Sequence, residues 1–339
     1  MDLDALVTGG DTVDHGVVLA ALDLARLAPS LHNSQPWWWH LGDGVVHLHA
    51  DLDRWLPATD PDGLGLIVSC GAALHHLRVA LAAAGVGASV RRLPDPDDPD
   101  LLAVLGLRPH RGGPADAAVV PEHAAGIPLR RTDRRGFDPA LGRHVAALAR
   151  QAATHGAQLR RIDAPDLLRT LELAGRAAAS DHLADAGYRD ELHDWTVGRP
   201  ADAGVPAGSI PVTVPGRTGL PLRPFPHAAM HDEHGDRPDA ATLLAVGTSS
   251  DDRLSRIRAG EAMSAVLLEA TRRTLATAAL TEPLECDSAR ALITDEVLGG
   301  SLCPQLLVRV GVARTGGPGP APTPRRSLDR QVEMLPGAS

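Results

Sequence analysis

Two stretches of small, apolar residues in opposite halves of the chain share one pattern, and this pattern constrains the fold more than any other feature. Residues 71–90, GAALHHLRVALAAAGVGASV, and residues 260–279, GEAMSAVLLEATRRTLATAA, each read as a long helix that leads into a short extended piece. A repeated helix–strand unit predicts two related halves that bury their apolar faces against each other. Helices of small residues also resemble one another by chance. The alternative that the two helices are unrelated therefore stays open.

The remaining periodicity surrounds each long helix with further elements. Before the first, residues 16–28 have helical spacing, and residues 37–41 and 45–50 predict a hairpin that turns at Gly42-Asp43-Gly44. Around the second, the pattern predicts helices over 138–154, 165–195, 251–276 and 287–298 and strands over 157–163, 242–247 and 304–312. Residues 108–126 are rich in Gly, Pro and Ala, so we expect the halves to comprise residues 1–115 and 116–339.

One long segment lacks the periodicity of either a helix or a strand. Residues 197–241 contain many Gly and Pro residues, as in PADAGVPAGS and VPGRTGLPLRPFP. A loop of this length in a compact protein is usually a lid, a binding loop or a disordered segment. We therefore expect residues 197–241 to be a lid loop inserted in the second half.

Composition and charge exclude several classes of protein. The formal net charge of −9 disfavours a nucleic-acid-binding protein, which would have a basic excess. No apolar stretch is expected to approach the ~20 residues that span a bilayer, so no membrane partner is expected. The three cysteines, an odd number without metal-ligand spacing, favour a reducing cytoplasm. The chain contains no lysine, so anions must be bound by Arg, His or backbone N–H groups.

The most specific string is APSLHNSQPW, residues 28–37, between a predicted helix and a predicted strand. A turn at this position can present the Ser30 hydroxyl, the Asn33 amide and backbone N–H groups to a ligand. The same residues could instead only cap a Pro-bounded helix end and its turn.

Three further strings lie in the second half. Arg130-Arg131-Thr132-Asp133-Arg134 is a basic string that could bind an anion or could be a solvated turn before a helix. Pro283-Leu284-Glu285-Cys286 follows the second long helix, and Pro324-Arg325-Arg326 lies near the end of the chain. Cys286 could be a redox thiol, although a buried small residue is the simpler interpretation.

These strings together resemble the nitroreductase superfamily. APSLHNSQPW is similar to its A-P-S-x-x-N-x-Q-P-W signature, the basic string to R-x-S-x-R/K, and residues 283–286 to its P-x-E-G loop, with Thr132 and Cys286 in place of the usual Ser and Gly. Those proteins are α+β homodimers that bind FMN at the dimer interface. Each half of this chain has the strings that the other lacks, as in the Acg-type proteins, which are fused double domains with a lid over the flavin.

The resemblance implies an α+β fold of two fused nitroreductase-like half-domains that mimic the family homodimer, with one FMN site. It also implies a monomer with internal pseudo-dimer symmetry, although further association is possible. Arg130 would contact the ribityl chain or phosphate, Arg134 the N1 and O2 region of the ring, and the backbone N–H near Glu285 the flavin N5. The implied FMN-binding residues are Pro29, Ser30, Asn33, Gln35, Arg130, Arg131, Thr132, Arg134, Pro283, Leu284, Glu285, Arg325 and Arg326.

Two functions are compatible with this resemblance. The first is an oxidoreductase in which FMN takes hydride from NAD(P)H and passes electrons to a small nitro or quinone-type acceptor by a ping-pong mechanism. The second is a protein that holds FMN beneath a closed lid with little turnover. A third interpretation is a structural or adaptor protein that no longer binds flavin. The basic string and the turn would then be remnants of a lost FMN site.

Overall fold

The computed structural model describes residues 13–109, 119–198, 201–212, 223–230, 232, 237–314 and 319–336. The helices in these residues are α1 (His15–Ala25), α2 (Leu64–Ala83), α3 (Gly142–Thr154), α4 (Pro165–Ala184), α5 (Ala186–His193), α6 (Arg253–Arg272) and α7 (Asp287–Leu292). The strands are β1 (Trp37–Gly42), β2 (Val45–Ala50), β3 (Val86–Arg92), β4 (Leu101–Pro109), β5 (Phe137–Pro139), β6 (Gln158–Ile162), β7 (Thr242–Thr248), β8 (Ala276–Leu280), β9 (Cys303–Ala313) and β10 (Val332–Met334).

Two sheets have the same internal strand order. In the first sheet the antiparallel neighbours run β1, β2, β4, β3, and in the second they run β6, β7, β9, β8. A long helix, α2 or α6, lies between the second and third in chain order of these four strands. The chain is therefore a mixed α and β protein in which one arrangement of elements occurs twice.

The two long helices cross at a pair of glycines. A Cβ atom added at Gly71 would lie 3.0 Å from the Cα of Gly260 and would overlap the carbonyl oxygen of Ile257. A Cβ atom at Gly260 would in turn overlap the carbonyl oxygen of Val68. Only glycine therefore allows the α2 and α6 backbones to come this close. One apolar core surrounds the crossing and joins both sheets.

Helix α2 corrects the expectation that no apolar stretch approaches membrane-spanning length. Its 20 residues have a mean hydropathy of 1.5 and are long and apolar enough to cross a bilayer. The helix is 89% buried inside the protein, where it packs against α6 and α1. Its apolar composition is explained by burial on all sides, since a helix in the centre of a core has no polar face.

The structure also corrects three predicted helix boundaries. The predicted helix 138–154 begins only at Gly142, because residues 137–139 form β5 and pair with β9. The predicted helix 165–195 is interrupted at Asp185, whose side chain caps α5. The predicted helix 251–276 ends at Arg272, and Thr274 adopts a positive φ of 57° before β8 begins.

The C-terminal part of the chain completes the first sheet. Strand β10 pairs in parallel with β1, and Val332 lies opposite Trp39. The Nε1 of Trp37 donates a hydrogen bond to Oε1 of Gln331 over 2.6 Å. Residues on either side of the predicted boundary at 115 and 116 lie outside the described part of the chain, so that boundary stays a prediction.

Candidate functional site

The turn between α1 and β1 has a constrained backbone. Residues Leu31–Asn33 form one 3₁₀ turn, and His32, Asn33 and Gln35 have positive φ angles of 46°, 56° and 52°. Positive φ values at consecutive non-glycine residues cost free energy and persist only where the surroundings fix them. The Ser30 hydroxyl is one of these restraints, because it accepts a hydrogen bond from the Gln35 N–H over 2.9 Å.

Asn33 and Gln35 connect the turn to two distant segments. The Asn33 amide donates to the carbonyl of Gly204 over 3.0 Å and to that of Pro324 over 2.9 Å. The Gln35 amide donates to the carbonyl of Asp202 over 2.9 Å. The turn thus holds part of the 197–241 segment and the C-terminal segment in place.

Gln35 and Arg326 depart from the predicted set of cofactor contacts. The Gln35 side-chain oxygen accepts a hydrogen bond from the Arg326 backbone N–H over 2.8 Å, and the Arg326 guanidinium is paired with Asp51 at 3.1 Å. Neither residue lines either of the two cavities described below. Both are buried because they attach the C-terminal segment to the first sheet.

Two adjoining cavities lie between the turn and the second half. They enclose about 1230 Å³ and about 900 Å³ of space, including the parts open to solvent. Pro29, Ser30, His32, Thr132 and Arg134 line both cavities. The turn of residues 28–37 and the basic string therefore border the same two cavities.

The smaller cavity contains a cluster of arginines, Arg130, Arg131 and Arg325. Arg130 is 6% exposed, and its Nε and Nη1 groups have no hydrogen-bond partner. Desolvation and the neighbouring Arg131 lower the pKa of Arg130 to about 10. Desolvation, together with Arg130 and Arg131, lowers the pKa of Arg325 to about 9, and the Nε of Arg325 is also unpaired.

Buried guanidinium groups are normally paired, because an unpaired donor or charge removed from water is unfavourable. Both Arg130 and Arg325 remain protonated at neutral pH, since their pKa values stay well above 7. Planar guanidinium groups with free N–H donors match the oxygens of a phosphate. The smaller cavity is therefore suited to bind a phosphate group.

The larger cavity has a different character. Arg134 donates a hydrogen bond to the Ser209 carbonyl over 3.2 Å and lies 5.1 Å from the ring centroid of Phe225. His32 lies edge-on to the same ring at 5.6 Å between centroids, and both of its ring nitrogens are unpaired. Burial and the nearby cations Arg223 and Arg134 hold the pKa of His32 well below its ordinary value. His32 is therefore a neutral imidazole at physiological pH.

The Pro283-Leu284-Glu285 string forms one wall of this larger cavity. The Glu285 carboxylate pairs with Arg223 at 2.5 Å and accepts a hydrogen bond from the Thr281 hydroxyl over 2.7 Å. The Glu285 backbone N–H donates to the Glu282 carbonyl over 3.2 Å. That N–H is thus engaged within the turn, and the expected contact of a backbone N–H near Glu285 with the flavin N5 stays a prediction.

Cys286 adopts a negative φ of −108°, so its Cβ causes no backbone strain where the family pattern has Gly. Its sulfur lies 3.4 Å from Nε2 of His182. Burial, followed by the acidic neighbours Asp181 and Glu285, raises the pKa of the thiol to about 11. A thiol that is protonated at neutral pH is a poor nucleophile, so the geometry favours a structural role.

Asp60 is a further ionisable group of the larger cavity. Its two carboxylate oxygens accept hydrogen bonds of 2.8 Å from the Gly65 and Leu66 N–H groups, in the first turn of α2. Burial nevertheless raises its pKa to about 6. Asp60 therefore changes charge just below neutral pH.

The structure brings most of the predicted residues to the two cavities. Those that line them are Pro29, Ser30, Asn33, Arg130, Arg131, Thr132, Arg134, Pro283, Leu284, Glu285 and Arg325. The residues that sequence reasoning missed are His32, Asp60, Arg223 and Phe225. His32 lies within the APSLHNSQPW string and could have been found there, whereas Arg223 and Phe225 lie in the Gly- and Pro-rich segment, where no pattern distinguishes them.

Comparison with solved structures gives weak similarities. A nitroreductase with bound FMN from Bacteroides fragilis is 15% identical with a TM-score of 0.38, and covers 58% of this chain and 91% of its own. A nitroreductase with bound FMN from Desulfitobacterium hafniense is 13% identical with a TM-score of 0.39, and covers 63% of this chain and 98% of its own. These scores are below 0.5, so the family assignment rests on sequence relatives.

A scan against protein-family models gave no match. Two Mycobacterium tuberculosis proteins, Rv3131 and acg, carry the name "Putative NAD(P)H nitroreductase". Rv3131 is 43% identical over 324 residues, which are 94% of this chain and 92% of the relative. The acg protein is 39% identical over 319 residues, which are 92% of this chain and 94% of the relative. At this identity and coverage, the chain belongs to the nitroreductase superfamily together with its Acg-type relatives.

Proposed function

We propose that this protein binds one FMN across the two adjoining cavities. The observation that carries the proposal is the pair of buried guanidiniums, Arg130 and Arg325, whose unpaired N–H groups lack an anion. The FMN phosphate would supply that anion, and Arg131 would add a third positive charge. Thr132 and Ser30, which line both cavities, would border the ribityl chain between the phosphate and the ring.

The flavin ring would occupy the larger cavity. Arg134 keeps a pKa of about 10 despite burial, so it supplies a fixed positive charge beside the ring. A cation at this position stabilises the reduced, anionic form of a flavin. When bound, FMN would accept hydride from NAD(P)H and pass electrons to a small nitro or quinone-type acceptor in a ping-pong reaction.

We further propose that the chain is the family dimer fused into one polypeptide. The repeated strand order in the two sheets and the crossing of α2 with α6 at Gly71 and Gly260 support this proposal. The cavities take their walls from both halves, which supports a monomer with one composite site. The cysteines in the described residues are free thiols, in keeping with a cytoplasmic protein.

A specific observation favours a second function, the storage of FMN with little turnover. Four residues of the 197–241 segment, Ile210, Pro211, Arg223 and Phe225, line the larger cavity. Arg223 also ties this segment to Glu285 through a buried ion pair. A segment held over the ring would exclude a nicotinamide, which must stack on the flavin to deliver hydride.

Absorbance of the purified protein tests the cofactor, and anaerobic NADH or NADPH addition tests the activity. A flavin spectrum that bleaches with NAD(P)H at ordinary enzyme rates, ~1–10³ per second, supports the oxidoreductase. Slow bleaching by NAD(P)H and rapid bleaching by dithionite support storage. A protein that takes up no FMN on reconstitution contradicts both.

Release of the 197–241 segment separates the two functions further. If the segment limits access, Arg223→Ala should speed NAD(P)H oxidation, because the tie to Glu285 is lost. Arg237→Ala is the matched control, since Arg237 belongs to the same segment but pairs with Asp138 on the surface. Equal rates in both variants and the unaltered protein would contradict a gating role of Arg223.

A further inference from the structure

Three histidines lie together on the first sheet, away from both cavities. His40 is on β1, and His47 and His49 are on β2. One ring nitrogen from each can be chosen so that all three atoms lie within 4.8 Å of one another. None of the three residues lines either cavity.

The hairpin places these side chains on one face by its register. His40 lies directly opposite His47, and His49 is two residues further along the same strand. Residues two apart on a strand point to the same face of a sheet. The alternate positions, such as Trp39 and Leu48, are fully buried, whereas the three histidines are half-buried and reachable from solvent.

Two of the ring nitrogens lie within hydrogen-bond distance of each other, which is also close to the separation of two ligands on one metal ion. The Nδ1 of His40 and the Nε2 of His49 are 3.2 Å apart. Two imidazole ligands at ~2.0–2.1 Å from a tetrahedral zinc ion have their nitrogens about 3.4 Å apart. This pair therefore already has the separation that a shared metal ion would require.

The opposite nitrogens of the same two rings face carboxylates. The Nε2 of His40 lies 3.6 Å from a carboxylate oxygen of Glu333, which is registered beside it on β10. The Nδ1 of His49 lies 4.0 Å from a carboxylate oxygen of Asp98. Metal-binding histidines commonly direct their second ring nitrogen at a carboxylate, which fixes the tautomer and the ring orientation.

We propose that His40, His47 and His49 form a binding site for a divalent transition-metal ion such as Zn²⁺, which binds three imidazoles and keeps one open position. Imidazole ligands disfavour Mg²⁺ and Ca²⁺, which take oxygen ligands. The fourth position faces solvent and would hold water. Through Glu333, the site also joins the β1–β2 hairpin to β10.

Titration of the full chain with Zn²⁺ against a chromogenic zinc indicator tests the site. We expect one Zn²⁺ per chain at this site. His47→Gln should bind Zn²⁺ at least ~10-fold more weakly, because the loss of a ligand should weaken binding no less than the loss of a residue that hydrogen-bonds to a ligand. His144→Gln is the matched control, since His144 lies on α3 in the other half and should leave the affinity unchanged. Glu333→Gln should weaken binding by a smaller factor than His47→Gln.

Substitution of Co²⁺ for Zn²⁺ identifies the ligands. A tetrahedral site of nitrogen and oxygen ligands gives visible d–d bands without thiolate charge-transfer absorption, which excludes the three cysteines as ligands. A thermal shift with Zn²⁺ that is present in the unaltered protein and absent in a folded His47→Gln variant would agree with this. No Zn²⁺ binding, equal binding by His47→Gln, or thiolate absorption would overturn the proposal.

Discussion

The buried arginines of the smaller cavity are suited to bind an anion, but they destabilise the ligand-free protein. Burial lowers the pKa of both Arg130 and Arg325, and like-charge repulsion adds to it, from Arg131 at Arg130 and from Arg130 and Arg131 at Arg325. Unpaired buried charges destabilise a folded protein, and such groups are retained where a ligand later pairs with them. We therefore expect the unfavourable free energy of these buried charges to fall when an anion binds to them.

Replacement of Arg130 by alanine should separate these two effects. The variant should bind FMN more weakly by ~1.5–3 kcal/mol, the usual worth of a hydrogen bond to a charged group. Its ligand-free form should be at least as stable as the unaltered protein, because a buried unpaired charge has gone. Fluorescence titration with FMN and thermal unfolding without FMN measure the two quantities.

Arg160→Ala is the control for Arg130→Ala, because Arg160 is exposed on β6. It should change neither FMN affinity nor thermal stability. A large loss of stability in ligand-free Arg130→Ala, with FMN affinity unchanged, would mean that Arg130 is a structural residue.

Asp60 gives the protein a defined dependence on pH. Its pKa is raised from the ordinary value of 3.8 to about 6, so the folded state holds the proton more tightly than the unfolded state. The free energy of unfolding should therefore fall as pH rises from about 4 to 6, by about 3 kcal/mol from this group, and then level off. Urea unfolding of the unaltered protein and of Asp60→Asn, each at pH 4 and pH 7, measures how much of the change in the free energy of unfolding comes from Asp60. If the pKa of Asp60 is ordinary, the change should be the same in both proteins.

At the scale of residues, contiguous strings were predictable and isolated contacts were not. Arg130 and Ser30 are in short strings whose residue types match a flavin phosphate and its neighbours. Arg223 and Phe225 reach the larger cavity only because a long irregular segment folds over it, and no local pattern encodes that path. Gln35 belongs to the right string, yet its hydrogen bond to Arg326 is a tertiary contact that spacing cannot reveal.

Among the elements, the crossing of α2 and α6 is the most sensitive to substitution. Gly260→Ala would place a Cβ atom 2.8 Å from the Cα of Gly71 and into the Val68 carbonyl. Separating the helices should lower the free energy of unfolding by at least ~1–3 kcal/mol, as for other overpacked cores. Urea denaturation measures the effect.

Gly142→Ala, at the start of α3, is the matched control because a Cβ there meets no atom within 4 Å. This substitution should be neutral or should stabilise by up to ~1 kcal/mol, since alanine restricts the unfolded chain. Equal effects of Gly142→Ala and Gly260→Ala would show that the helices do not cross so closely.

Strongly periodic elements were predicted well, and their ends were not. The hairpin of β1 and β2 follows from alternating residues around Gly44, whose φ of 70° suits glycine. Strand β5 was read as the start of a helix because its three residues carry no pattern of their own and form a strand only by pairing with β9. Helix α6 ends early because residues 276–280 pair with β9 as well.

For the whole molecule, we predict one FMN per chain and a stable monomer. If the two proposed halves form one FMN site between them, released flavin per chain should approach one after denaturation. Sedimentation of the flavin-loaded protein should give the mass of a single chain of 35.4 kDa. A ratio near two, or an obligate dimer whose flavins each contact two chains, would contradict the composite site.

The pairing of β10 with β1 has a consequence for the time course of synthesis. Residues 332–334 complete a sheet whose other strands have all been made by residue 109. At 5–20 residues per second, this sheet waits roughly 10 to 45 s on the ribosome for its last strand. Until residue 272 has been made, α2 also lacks α6, so the apolar surface of α2 is exposed. A nascent chain of this protein should therefore depend on chaperones until translation has passed both α6 and β10.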